Sequence, residues 1–224
     1  MNRHVNAIAA RLSLRPPQRR SLEILDRVTT IAPPRKDADL TQVLDVIRSE
    51  YPTVTDFERA FPSLCFALAT GVGKTRLMGA FIAYLHLAHG MRNFFVLAPN
   101  LTIYNKLIAD FTPNTPKYVF QGIVEFNLQP PEIITGDNWE NRGATLDLFG
   151  GVAVNIFNIS KLNQEAKGGR KLKMRSFRET LGESYFDHLK AKPDLVLIMD
   201  ESHRYRGDAG VRALDELRPV LGLE

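Results

Sequence analysis

Long apolar runs, cysteine pairs and internal repeats are what this sequence lacks. No stretch approaches the ~18 to 20 apolar residues that a membrane-spanning helix requires. The N-terminus, MNRHVNAIAARLSLRPPQRR, has no apolar segment of the signal-peptide kind. The expectation is a soluble, cytoplasmic protein with no membrane partner. The single cysteine, Cys65, excludes an internal disulfide. It lies in an apolar, strand-like run and reads as a small core residue with no redox or metal role. Five histidines occur without a cysteine or carboxylate cluster at ligand spacing. His86 and His89, on one predicted helix, therefore read as ordinary helix residues. No self-similarity recurs at the usual repeat periods.

What is present is ordinary globular material. The 224 residues, 44% hydrophobic and 24% charged, suffice for one large domain or two small ones and exclude wholesale disorder. A net charge of +4 permits a polyanionic partner without demanding one.

Residues 18–30, QRRSLEILDRVTT, place Leu22, Ile24, Leu25 and Val28 at helical spacing, and Ala32-Pro33-Pro34 ends that helix. Residues 40–49 read as a second helix, stopped at Tyr51-Pro52. From Ser63 onward, short continuous apolar runs alternate with helical segments. The runs are Ser63–Leu68, Asn93–Ala98, Gly151–Phe157 and Leu195–Met199. Such a pattern means an α/β fold, a mostly parallel sheet covered by helices on both faces. Thr75–His89 reads as an amphipathic helix closed by Gly90. Residues 112–150, with Pro113, Pro116, Pro130 and Pro131, read as an elaborated insertion with one short strand at Tyr118-Val119-Phe120.

Two segments carry chemistry. ATGVGKT, residues 69–75, joins an apolar strand to a helix N-terminus, where unpaired backbone amides and the helix dipole favour an anion. Gly71 and Gly73 let the backbone approach phosphates, Lys74 supplies charge to the β and γ phosphates, and the Thr75 hydroxyl can coordinate magnesium. Thr70, Val72 and Arg76 complete the candidate ATP-binding set. Leu68 stands where the usual pattern has its first glycine. In LVLIMDESH, residues 195–203, a strand ends in paired carboxylates. Asp200 would hold Mg2+ through water, Glu201 would orient and deprotonate an attacking water, and His203 would sense the γ phosphate or link the site to a polymer-binding face. A bare GKT in a loop and a charge pair at a helix start are the plainer readings of these segments. Their pairing favours the catalytic one, with the two segments meeting at neighbouring strand tips.

Together, ATGVGKT and MDESH resemble motifs I and II of the superfamily two helicases and translocases, in the DExH branch. LRPPQRRSLEIL, NFFVLAPNLTIYNKL and MDESHRYRG narrow the likeness to the ATPase subunit of type III restriction enzymes, covering the chain from about Leu12 onward. The resemblance implies a RecA-like P-loop NTPase domain over residues 62–224, with the insertion at about 112–150, behind an N-terminal helical segment, 1–61, that carries a Q-motif-like region. It implies ATP and Mg2+ as ligands and single- or double-stranded DNA as partner, and it admits a methyltransferase or specificity subunit as a further one. Such proteins have a second RecA-like domain that supplies arginine fingers, and too little sequence follows Met199 to encode it. The expectation is a first motor domain of a longer protein, weak or inactive alone.

The resemblance also assigns residues. Gln18 stands where the family contacts adenine; an exposed glutamine at a helix N-terminus is the alternative. Asn100, Thr102 and Lys106, in APNLTIYNK, match a motif that touches the nucleic-acid backbone, with a helix cap by Asn100 or Thr102 as the alternative. Ser160 and Lys161, in NISKLN, occupy the place of a further backbone-contacting motif. The basic stretch at 167–178 reads either as a border for nucleic acid or as a solvated loop. A P-loop nucleotide switch or phosphotransferase would account for Lys74 and Thr75 but not for Glu201 and His203. A non-catalytic nucleic-acid-binding remnant is the third reading.

Overall fold

A computed structural model describes residues 2–139, 151–158, 183–201 and 214–224. The chain opens with three helices, each with an identifiable start signal. α1 (Arg3–Arg11) begins at Asn2, whose side chain accepts from the His4 N–H. α2 (Pro16–Ile31) begins on two prolines, at positions where a missing N–H costs nothing. α3 (Leu40–Glu50) begins at Asp39, whose carboxylate accepts from the N–H groups of Thr41 and Gln42. Helix α1 follows from Val5, Ile8, Ala9 and Leu12, an i, i+3, i+4, i+7 stripe that is buried. That spacing was legible in the sequence but is not among the elements expected above.

Six strands form one all-parallel sheet in the order β1-β6-β5-β2-β4-β3. They are β1 (Ser63–Leu64), β2 (Asn93–Ala98), β3 (Glu132–Thr135), β4 (Ala153–Asn158), β5 (Leu195–Met199) and β6 (Leu221–Leu223). Between them lie α4 (Lys74–His89), α5 (Leu101–Phe111), α6 (Val124–Leu128) and α7 (Glu183–Ala191). The period-two alternation of side chains divides the core between the faces. Phe94, Val96 and Ala98 of β2, with Val154, Ile156, Val196 and Ile198, pack against α1, α2, α4 and α5. Phe95, Leu97, Phe157 and Met199 pack on the other face against Tyr185, Phe186 and Leu189 of α7. Each fully buried Phe or Leu stabilises the fold by roughly 1.5–3 kcal/mol. Among the described residues no helix is long and apolar enough to cross a membrane.

Five expectations need correction. β1 is two residues long, and Cys65, read as a core residue, is exposed. On an edge strand that ends so early, the side chain meets solvent at the mouth of a cleft. α4 is not amphipathic: Leu77 through Leu85 are buried without a break, because α1, α2 and the sheet enclose the helix. Residues 118–120 form turns rather than a strand, with the Val119 N–H donating to the Asp110 carbonyl and Phe120 packed between Phe111 and Phe126. The strand in this region is instead β3, paired with β4 at the sheet edge. Finally, the tips of β1 and β5 are not neighbours, since β6 lies between them.

Candidate nucleotide-binding site

After β1 ends at Leu64, residues 65–73 lead into α4, with Ala69 to Gly73 as the turn. Gly71 has φ 82° and Gly73 φ 95°, both in the left-handed region that favours glycine. Gly73 is the N-cap of α4 and offers no side-chain cap, so the first-turn N–H groups of the helix are not satisfied by one. A Cβ at Gly73 would also come within 2.8 Å of Gln18 Nε2. Two side chains from the start of α2 grip the loop from behind. Gln18 Nε2 donates to the Gly73 carbonyl at 2.8 Å, and Arg15 Nη1 donates to the Gly71 carbonyl at 3.1 Å. Gln18 is 1% exposed and its Oε1 accepts the Arg15 N–H, so it is not the exposed helix-end residue of the alternative reading. Its contact in this structure is with the loop. Both carbonyls are thus held from the α2 side.

β5 delivers Asp200 and Glu201 to the same edge of the sheet. The Asp200 N–H donates to the Leu97 carbonyl, which continues the pairing with β2 past the last strand residue. Glu201 adopts φ 56°, a conformation that costs a non-glycine residue on the order of 1–2 kcal/mol. Lys74 Nζ and Glu201 Oε1 pair at 3.1 Å. Although β6 separates β1 from β5, the loop after β1 still brings Lys74 to the residues that follow β5. Burial raises the Asp200 pKa, Lys74 opposes that rise, neighbouring Glu201 adds to it and Lys106 opposes it again. An open cleft lies between these groups, lined by Cys65, Phe66, Lys74, Met78, Asp200 and Glu201.

This arrangement fits a magnesium-bound phosphate ester. The oxygen donors at hand, the Thr75 hydroxyl and the Asp200 carboxylate, are hard ligands of the kind magnesium takes. No group of three or more His, Cys, Asp or Glu that could cage a metal exists among the described residues, so phosphate oxygens and water would complete the shell. The uncapped amides and Lys74 supply the matching positive charge.

The remaining sequence candidates fall in different places. Asn100 caps α5, its side chain accepting from the Ile103 N–H at 2.9 Å, while Thr102 is exposed in the first turn. Lys106, grouped above with the nucleic-acid contacts, reaches the phosphate loop instead and donates to Thr75 Oγ1 at 3.1 Å. Thr70 and Arg76 are exposed, and Val72 is half-buried. A second cleft opens on the α2 side of the loop between Arg15, Gln18, Arg76, Lys106, Lys117 and Tyr118. His203, Ser160, Lys161 and the basic stretch 167–178 lie outside the described residues. Arg15 was missed by the sequence reading, although its place three residues before Gln18 in LRPPQ was a signal. His86 and His89 hold structural partners: His86 Nδ1 meets the Met91 carbonyl, and His89 Nε2 meets Thr29 and Tyr84.

Compared with known proteins, the chain matches at residues 11–223 the family model described as "Type III restriction enzyme, res subunit". No individually curated protein matches it.

Proposed function

The chain belongs to the family of type III restriction enzyme Res subunits, and on that premise we propose that it is the first motor domain of a DNA-dependent ATPase. The family implies a helicase-like, ATP-binding motor domain of RecA-like fold. The finer reading, Mg-ATP hydrolysis coupled to movement on DNA, is supported most by one observation. Lys74 and Glu201, 127 positions apart, meet at 3.1 Å and so bring the phosphate loop and the carboxylate pair to one cleft.

In this reading the N–H groups of residues 71–75 and the Lys74 ammonium bind the β and γ phosphates, with Thr70, Val72 and Arg76 flanking them. Thr75, and Asp200 through water, would hold a magnesium ion, which when bound would neutralise charge developing on the transferred phosphoryl group. Glu201 orients the attacking water and takes its proton. Lys74 must leave Glu201 to reach phosphate, so substrate binding itself releases the base. Gln18 and Arg15 keep the loop's amides aimed at the phosphates by holding its carbonyls, and Gln18 borders the space where adenine would lie. His203 serves as the link to the γ phosphate or the polymer. DNA runs past the start of α5, near Asn100 and Thr102, and past Ser160 and Lys161.

The proposed organisation is a helical segment at 1–61 and a motor domain at 62–224. A second RecA-like domain would close the cleft and supply arginine fingers worth ~10³ to 10⁵ in rate, so these residues alone hydrolyse ATP slowly. Calorimetry with a non-hydrolysable ATP analogue and magnesium tests the reading directly. Lys74→Ala abolishes binding, and unchanged affinity removes the phosphate-loop assignment.

A further inference from the structure

Helix α5 brings a second lysine to the phosphate loop. Lys106 Nζ donates to Thr75 Oγ1 at 3.1 Å, and the same ammonium lies 3.6 Å from Asp110 Oδ2, one turn along α5. The Asp110 side chain is 10% exposed and that of Lys106 53%. A nearly buried carboxylate thus tethers an ammonium whose stem spans open cleft. Lys106 is also among the positive charges that oppose the burial-driven rise of the Asp200 pKa. It therefore acts on both oxygen donors assigned above to magnesium.

We propose that Lys106 is the site's resident counter-cation, holding the Thr75 hydroxyl and screening Asp200 until a nucleotide-bound magnesium ion displaces it. This rests on reading the loop as a magnesium-nucleotide site. The physical basis is short-range repulsion. A divalent cation on Thr75 Oγ1 would stand within a few ångströms of the ammonium, close enough for like charges to repel even beside solvent. The ammonium yields by swinging away, and that displacement opposes metal entry. A lysine whose role were to bind phosphate would behave in the opposite sense, since its removal would weaken nucleotide binding at every magnesium concentration.

Lys106→Met keeps the stem and removes the charge. Magnesium is titrated into the 224-residue protein in the presence of a fluorescent ADP analogue. The magnesium concentration for half-maximal nucleotide binding falls about fivefold or more in the variant. A rise, or no change, overturns the proposal. Removing the ammonium leaves the Asp110 carboxylate without that counter-charge, so the neutral pair Lys106→Met/Asp110→Asn is measured alongside. It shows the same fall, and it decides the matter if the single variant does not fold. Wild-type binding that Lys74→Ala leaves intact overturns the nucleotide-site reading and this proposal with it. Binding that depends on Lys74 but shows no shift in the neutral pair overturns this proposal alone.

Discussion

Lys74 stands between two anions, the Glu201 carboxylate it holds at 3.1 Å and the phosphates that its place at the start of α4 invites. Both ends of the pair are about one third exposed, so the ion pair itself adds little stability. Its importance is competitive: while the pair persists, the candidate base is neutralised and the phosphate ligand is occupied. Glu201→Gln removes the competition along with the base. Nucleotide binding is then kept or tightened, while steady-state hydrolysis in a complete motor protein falls about 10²-fold or more. Equal turnover by variant and parent would contradict the assignment. At Asp200 burial works against the charged form, and the lysines work for it. A carboxylate in that position is poised for a cation.

At the scale of elements, the site depends on how closely α4 is enclosed. Gly79 faces Val119 so tightly that an added Cβ would stand 2.9 Å from Val119 Cβ. Alanine gains about 1 kcal/mol over glycine as a helix former, whereas overpacking costs about 1–3 kcal/mol. The clash wins, because Val119 is a stiff β-branched residue on a buried turn. Gly79→Ala therefore lowers the urea unfolding midpoint, and a rise would show that the 118–120 turn yields. At its other end α4 is tied to α2. Asp26 Oδ1 accepts from Tyr84 OH and Asn2 Nδ2, and His89 Nε2 lies 3.2 Å from Tyr84 OH and 3.0 Å from Thr29 Oγ1. Burial lowers the His89 pKa below the ordinary 6.5, with Asp26 opposing. The unfolded chain therefore takes up a proton before the folded one does. Stability is level above about pH 6.5 in this respect and declines as the pH falls from there toward the folded value. Replacing His89 with Gln flattens that part of the profile in denaturant titrations at successive pH values, and an unaltered slope assigns it to other groups.

For the molecule as a whole, the all-parallel sheet sends the residues that follow β1, β2 and β5 to one edge. The phosphate loop, Asn100 at the start of α5, and Asp200 with Glu201 share that edge. A polymer lying along it would be held chiefly by phosphate contacts. The logarithm of DNA affinity then declines linearly with the logarithm of salt concentration as counterions are released. Salt-insensitive binding in a fluorescence-anisotropy titration would refute backbone contacts of this kind.

Local signals in the sequence determined the α/β class, the bounds of α2, α3, β2 and β5 to within a few residues, and the pairing of a phosphate loop with a carboxylate-ended strand. These were legible because hydrophobic period, caps and glycines at positive φ act over a few neighbouring residues. α1 carried the same kind of signal at Val5, Ile8 and Leu12, unread amid a polar N-terminus. Tertiary structure alone decided that β6 separates β1 from β5, that β3 rather than 118–120 joins the sheet, and that Cys65 faces solvent. It also decided that Gln18 braces Gly73 and that Lys106 turns to Thr75. Each of these depends on which distant segments become neighbours, and strand order and helix placement are set by the burial of both sheet faces at once, not by any short stretch of sequence.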